Sequence, residues 1–272
     1  MKIFISADIE GVAGIVHGQQ GTPGNPEHET ARRLMIGEVN AAIEGAFAGA
    51  AAAVVVNDSH YLMRNLVPSE LDRRARLVSG FLKPDSMMQG LDAGFAGAML
   101  VGYHARAGAR GILAHTISGY AFASVTVNGH RAGETLLYGA FAGALGVPVI
   151  LVSGDDCLKQ EVERHFPFAE YAEVKTAYGA QAGESLSPAA ACDLIRARAR
   201  RAVETASQIP PVTLSAPLEC EVRLNNQSIA DLVTLLPMCE RLDSTTVRLT
   251  SGSIGELIRL LNVMALLANS LR

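Results

Sequence analysis

Met1-Lys2-Ile3-Phe4-Ile5-Ser6-Ala7 runs into Asp8-Ile9-Glu10-Gly11, a stretch of strand-forming β-branched and aromatic residues that stops at two carboxylates and a turn glycine. The pattern returns further along. Ala52-Ala53-Val54-Val55-Val56 stops at Asn57-Asp58-Ser59-His60, Gly97-Ala98-Met99-Leu100-Val101-Gly102 at Tyr103-His104, and Val147-Pro148-Val149-Ile150-Leu151-Val152-Ser153 at Gly154-Asp155-Asp156. Each is a short continuous apolar run, as expected of a strand buried on both faces, and each ends in polar residues. Between them, Glu29 to Gly49 places Leu34, Ile36, Val39, Ile43 and Phe47 near the helical period, and Met88 to Gly97 and Gly133 to Leu145 read as shorter helices. The alternation predicts an α/β fold with a mostly parallel sheet and helices on both faces. In such sheets ligands gather beyond the carboxyl ends of the strands. Ser124-Val125-Thr126-Val127 followed by Asn128-Gly129 predicts an inserted β-hairpin.

The segment Gly18 to His28 carries Gly18, Gly21, Pro23, Gly24 and Pro26, too many breakers for a regular element, and is expected to be a mobile flap. Ser187-Pro188 opens a helix to about Ala206, whose Arg196, Arg198, Arg200 and Arg201 spread around a solvated face with no aromatic residues interleaved for stacking on bases. After the break at Pro210-Pro211 the chain reads strand (Val212 to Leu224), helix (Ser228 to Leu236), strand (Thr245 to Thr250) and helix (Gly255 to Leu267). The expected organisation is an α/β domain over residues 1–208 that carries the site, and a small C-terminal β-α-β-α lobe over 209–272. That lobe is small for a core of its own, so it is expected to pack on the main domain.

Composition narrows the function classes. With 49% hydrophobic residues in 272, the chain has ample material for a core. Its 23 Lys and Arg against 27 Asp and Glu give a charge of −4, which argues against a general grip on nucleic acid and for a small or polar partner. Cys157, Cys192, Cys220 and Cys239 show no disulfide or CxxC spacing, and Met1 to Asp8 is too short and too soon charged for a signal peptide, so a reduced, cytoplasmic protein is expected. The longest apolar run, Gly45 to Val56, falls short of the roughly 18 residues of a membrane span, so no membrane partner is expected.

The chemistry sits at the strand ends. If the extended geometry persists, Asp8 and Glu10 point to one face and repel, unless a cation or a shared proton compensates. His60 and His104 follow two other strand ends, and Glu134 follows a glycine at a helix start, which makes three carboxylates and two histidines on one rim. That donor set suits Zn²⁺ or a similar borderline cation. It exceeds what one tetrahedral ion with an open position needs, and a carboxylate can bridge, so a two-metal site is the economical reading. His115, a short loop past His104, stands as a sixth ligand, a general acid or base, an electrostatic stabiliser, or a structural histidine. One or two of Asp58, Asp155 and Asp156 are expected to accept hydrogen bonds from metal-bound histidines, with turn formation as the competing role. Gly11-Val12-Ala13-Gly14 is not a dinucleotide fingerprint, Cys157 has no local base, and His17, His28, His130 and His165 read as surface or loop residues.

Together, Ser6-Ala7-Asp8-Ile9-Glu10-Gly11, Asn57-Asp58-Ser59-His60, Gly102-Tyr103-His104-Ala105, Ala114-His115-Thr116, Asn128-Gly129 with Gly133-Glu134, and Val152-Ser153-Gly154-Asp155-Asp156 resemble the D-aminopeptidase DppA family of dinuclear zinc peptidases. The resemblance in order and spacing runs from Lys2 to Asp156. It implies that Asp8, Glu10, His60, His104 and Glu134 are ligands of two Zn²⁺ ions per subunit, with Asp8 as the bridge, and that His115 is the catalytic histidine. It also implies self-association into a ring-shaped homodecamer whose sites face an internal chamber, open to short peptide substrates. Tyr61 stands where the family often has glycine, and His28-Glu29 near a position often aromatic, departures that bear on substrate preference more than on the metals.

The expected function is therefore a zinc-dependent aminopeptidase that releases the N-terminal residue of short peptides, with a preference for D-amino acids of the D-Ala type. Two rivals stay open. One is a dinuclear-metal hydrolase of another small amide or ester; its phosphoesterase form usually begins D-x-H and includes G-N-H, unlike Asp8-Ile9-Glu10 and Asn57-Asp58-Ser59-His60. The other is a non-catalytic metal-binding protein, which would bind metal and hydrolyse no peptide.

Overall fold

A computed structural model describes residues 1–272. Its elements, in chain order, are β1 (Lys2–Ala7), α1 (His28–Ala48), β2 (Ala53–Asp58), β3 (Ala75–Val78), β4 (Gly97–Val101), β5 (Phe122–Val127), β6 (His130–Arg131), α2 (Glu134–Ala144), β7 (Val149–Asp155), α3 (Asp156–His165), β8 (Glu170–Gly179), β9 (Ala182–Ser185), α4 (Pro188–Thr205), β10 (Leu218–Leu224), α5 (Gln227–Val233), β11 (Glu240–Arg241), β12 (Thr246–Ser251) and α6 (Ile254–Asn269). A seven-stranded sheet runs in the order β3-β2-β1-β4-β7-β8-β9, parallel throughout except for the β8–β9 edge pair. A second sheet, β11-β12-β10-β5-β6, is antiparallel.

Alternation along β1 shows how the main sheet is covered. Ile3, Ile5 and Ala7 pack with Val39 and Ile43 of α1 and Ile195 and Ala199 of α4, while Phe4 points the other way, into a core shared with α2, α6 and the second sheet. In the central strands Ala7 lies opposite both Asp58 and Val101, so β1, β2 and β4 end flush and release their following residues at one edge. Past that line Ser59 N–H still donates to Ala7 O at 2.8 Å and Asp8 N–H to Val101 O at 2.8 Å. The register therefore brings Asp8, His60 and His104 together.

The structure departs from the sequence reading in several elements. Met88 to Gly97 is not a helix: a 3-10 turn at Ser86–Met88 is followed by turns, because Gly90 takes a left-handed φ of 97° and Gly94 and Gly97 follow within the same segment. The hairpin β5–β6 is antiparallel as expected, but β5 pairs with β10, so it opens the second sheet and draws in the C-terminal strands. The strand after Pro210-Pro211 begins only at Leu218, just after Pro217, since prolines cannot donate to a ladder. The strands β3, β8, β9 and β11 and the helix α3 had no reading in the sequence. The arginines of α4 lie on its exposed side and pair with carboxylates, Arg196 with Glu44 and Asp193, Arg198 and Arg201 with Glu170, and Arg200 with Glu204.

Candidate active site

Six side chains converge beyond the carboxyl ends of the central strands. Asp8 directly follows β1 and Glu10 lies in the turn after it. Gly11 completes that turn, and only a residue without a Cβ fits there, because an added Cβ would lie 1.8 Å from the carbonyl oxygen of Tyr103. His60 follows β2, His104 follows β4, His115 hangs from the loop before β5, and Glu134 opens α2. His60 Nδ1 lies 2.8 Å from Glu10 Oε2 and 3.3 Å from Asp8 Oδ1. His104 Nε2 lies 3.5 Å from Asp8 Oδ2 and 3.4 Å from Glu134 Oε2. His115 Nε2 is 3.7 Å from Glu134 Oε1 and 3.9 Å from Glu10 Oε1, its ring stacked on that of His104 at 4.0 Å. Asp8, Glu134 and His104 are nearly sealed from solvent, while the His115 side chain keeps 21% of its exposure, so the cluster opens on the side of His115, Glu10 and His60.

The histidines are oriented by carbonyl groups. His60 Nε2 meets Gly21 O at 2.9 Å, His104 Nδ1 meets Ala105 O at 3.0 Å, and His115 Nδ1 meets Leu113 O at 2.8 Å. A carbonyl only accepts, so each of these nitrogens donates, and a neutral ring turns a lone pair toward the carboxylates. Gly21 is required for this: an added Cβ there would sit 2.8 Å from His60 Nε2. The expected flap is thus tied to the site through its own backbone, and the capping box of His17 and Gln20 orders its turn.

Charge in the cluster is unbalanced by its own carboxylates. Burial, then repulsion from Glu10, raises the Asp8 carboxyl to about 7. Burial opposes charge on Glu10 as well, but His60 holds it well below its usual range, and His60 is itself held well above its ordinary value by Glu10 and Asp8 against the burial cost. For His104, burial is outweighed by Glu134 and Asp8, which lift it to about 10. Glu134 is held down by His104 despite burial, whereas burial and the neighbouring His104 charge lower His115. In the absence of another cation the carboxylates recruit protons on His60 and His104.

The donor set fits a divalent metal. Glu10 Oε2 and His104 Nε2 are buried with no hydrogen-bond partner, even though His60 Nδ1 is only 2.8 Å from that Glu10 oxygen, because the contact lacks hydrogen-bond alignment. Asp8, Glu10 and His104 form one group with ligand atoms within 4.8 Å, and His104, His115 and Glu134 form another, overlapping group.

Surrounding residues take roles the sequence reading did not assign. Asp58, Asp155 and Asp156 accept from backbone and not from the histidines: Asp58 from Leu66 N–H at 2.7 Å, Asp155 from Ile112 N–H and Leu158 N–H at 2.8 Å, and Asp156 from Ala177 N–H at 2.7 Å. These carboxylates are engaged by the loops they hold, and nearby carbonyls orient the imidazoles. His28 is buried at the start of α1, not a surface residue, and meets Asn65 Oδ1 at 3.2 Å. Asn65 in turn donates to His60 O at 2.8 Å and so braces the loop of that residue. Tyr61 sits beside His60 with a left-handed φ of 52° and 60% exposure, at the rim of the site. Two buried residues went unread. Lys175 of β8 donates from Nζ to Glu10 O and Ile15 O, and Glu38 of α1 accepts from Ala13 N–H at 2.8 Å, so both clamp the turn that carries Glu10. No sequence signal sets them apart, since Glu170 and Glu173 in β8 and Arg32, Arg33 and Glu44 in α1 are charged as well.

A parallel α/β sheet with a buried carboxylate and imidazole cluster at its carboxyl edge, open on one side, defines the class of metal-dependent hydrolases. The sequence signature of peptidase family M55, D-aminopeptidase, matches residues 1–263, and the chain belongs to that family. It is 34% identical over 269 residues to a D-aminopeptidase of Bacillus subtilis (strain 168), covering 98% of each chain. Its fold is similar to that of the Zn-dependent D-aminopeptidase DppA from Bacillus subtilis, a self-compartmentalizing protease, with a TM-score of 0.95, 33% identity, and 99% of this chain and 98% of that chain covered.

Proposed function

We infer that the protein is a zinc-dependent aminopeptidase that hydrolyses the N-terminal residue of short peptides and prefers D-residues such as D-alanine. The observation that carries the reading is the pair of buried, unpartnered donors, Glu10 Oε2 and His104 Nε2, inside a cluster rich in carboxylates. Asp8, Glu10, His60, His104 and Glu134 would hold two zinc ions. Zinc, when bound, polarises the scissile carbonyl and makes water nucleophilic near neutral pH. The chain's own residues do the rest. A carboxylate of the cluster anchors the substrate's free ammonium, and the buried walls exclude bulk water. His115, whose lowered pKa keeps it neutral at pH 7, takes up a proton at Nε2 or steadies the oxygen that gains charge as the amide adds water.

The family membership and the whole-chain likeness to a self-compartmentalizing relative support self-association, here into a ring-shaped homodecamer. Four free cysteines support a reducing, cytoplasmic location, and no helix is long and apolar enough to cross a membrane. The test is release of free amino acid from matched D- and L-amino-terminal di- and tripeptides by zinc-loaded protein, with a chelator control. Chelator-sensitive release confined to the D-series is expected; zinc-loaded protein that cleaves neither series overturns the reading. Glu134→Ala and His60→Ala should each abolish turnover and lower zinc content, and full activity in either would remove that residue from the ligand set.

A further inference from the structure

We propose that the buried hydroxyls of Ser6, Ser59 and Tyr103 form a hub, centred on Ser6 Oγ, that fixes the spacing of Asp8, His60 and His104 across three strands. Each of these residues belongs to a motif whose acidic or imidazole member is accounted for and whose hydroxyl is not. Ser6 precedes Asp8 by two residues, Ser59 directly precedes His60, and Tyr103 directly precedes His104. They come from β1 and from the ends of β2 and β4, and all three are buried.

The shortest contacts favour one proton arrangement. Ser6 Oγ lies 2.7 Å from Ser59 Oγ, 2.7 Å from Tyr103 OH and 2.8 Å from Met87 O. Met87 O only accepts, so Ser6 directs its single proton there and offers its lone pairs to the other two hydroxyls. Tyr103 and Ser59 therefore both donate to Ser6 Oγ; the alternatives for Ser59, Asn57 O at 3.2 Å and Met87 O at 3.5 Å, are longer. Asn57 Nδ2 then donates to Ser59 Oγ at 3.0 Å. Every member is satisfied, and removal of any one leaves a buried polar partner without its bond.

A core with no other task would fill this space with alanine and phenylalanine, which pack without directional demands. Past the flush line at Ala7, Asp58 and Val101 the ladder thins to the single bonds from Ser59 N–H to Ala7 O and from Asp8 N–H to Val101 O. The hub pins the same three strands from the side, within two residues of each donor, where small lateral shifts decide whether donors from different strands meet at one point. Ser6, Ser59 and Tyr103 are positioning residues, since none of them is among the site's converging donors.

This inference rests on the reading of the cluster as a zinc centre, and the experiment separates the two. Full-length parent, Tyr103→Phe, Ser59→Ala and the double variant are compared for zinc affinity by competition with a chromophoric chelator, for kcat and KM on a D-alanyl dipeptide, and for the thermal midpoint of zinc-free protein. Each single variant is expected to weaken zinc affinity by about tenfold or more and to lower kcat while KM stays within about twofold. The double variant should lose less than the product of the singles, because both act through Ser6. Zinc affinity and kcat within twofold of the parent in both single variants, with only the thermal midpoint lowered, would reduce the hub to structural support and overturn the proposal. If Tyr103→Phe fails to fold, Ser59→Ala decides on the same criteria. A parent that binds no zinc fails the site reading first, before any variant is compared.

Discussion

His115 is the most exposed of the six converging side chains, and its pKa moves down where those of the other two histidines, His60 and His104, move up. A neutral imidazole at the mouth of the cluster is placed for proton transfer, not for charge balance. His115→Ala is therefore expected to keep its zinc, measured by elemental analysis, and to lose about 10²- to 10⁴-fold in kcat; loss of zinc instead would make it a structural ligand. Glu38 carries a different kind of prediction. Burial raises its carboxyl from 4.5 to about 7, and one carboxylate oxygen has no partner. A folded-state pKa above the unfolded one means that the folded chain binds the extra proton, so this contribution is fully present below pH 4.5 and is lost as pH rises to about 7. The whole swing is on the order of 3 kcal/mol. Glu38→Gln keeps an acceptor for Ala13 N–H and removes the titration. Urea midpoints of the zinc-free variant should then flatten between pH 5 and 8 relative to the parent; an unchanged slope would assign the pH dependence to other groups.

At the scale of elements, burial on both faces made the central strands readable. β1, β2, β4 and β7 are continuous apolar runs that stop at polar residues, and the same runs place Asp8, His60 and His104, so the site was legible wherever it is attached to a central strand. Glu134 was legible from the glycine before α2. The edge was not: β8 and β9 carry the half-buried Glu170 and Glu173, the buried Lys175 and the exposed Glu184, charges that interrupt a strand pattern, and β3 and β11 are only four and two residues long. What holds the site from behind was equally hidden, because Lys175 and Ser6 meet their partners across 165 and 53 residues of chain. The pairing of β5 with β10 joins segments about 90 residues apart and leaves no local signal. That pairing bears on the lobe at 209–272. Cys220 and Val222 of β10 and Leu257, Ile258 and Leu261 of α6 share one core with Val125 of β5 and Leu137 of α2, the helix that begins at Glu134. A fragment of residues 1–208 would expose that shared face and leave β5 unpaired on one side. It is expected to bind a hydrophobic dye and to lose the zinc affinity of the full chain; a fragment with a sharp thermal transition and parental affinity would show the first 208 residues to be self-sufficient.

At the scale of the whole molecule, the surface and the site make joint demands. The C-terminal region leaves Leu235, Met238, Leu242, Val263, Leu266 and Leu271 substantially exposed, and a net charge of −4 gives little repulsion to keep copies apart. The site opens on one side only, past His115, Glu10 and His60, with the exposed ring of Tyr61 at its rim. If the copies close into a ring with these mouths turned inward, access is limited by the chamber and not by the rim residues. Light scattering at micromolar concentration should then give about ten times the 28.7 kDa of one chain. Zinc-loaded protein should release a D-residue from a short peptide and fail to release the same residue from the accessible terminus of a folded protein. A monomer with full turnover would sink the assembly and leave the zinc reading intact, since every one of the six converging side chains comes from a single chain. A closed ring that trimmed folded proteins as readily as peptides would instead place the mouths on the outside, and selectivity would then rest with Tyr61 and the flap at Gly21.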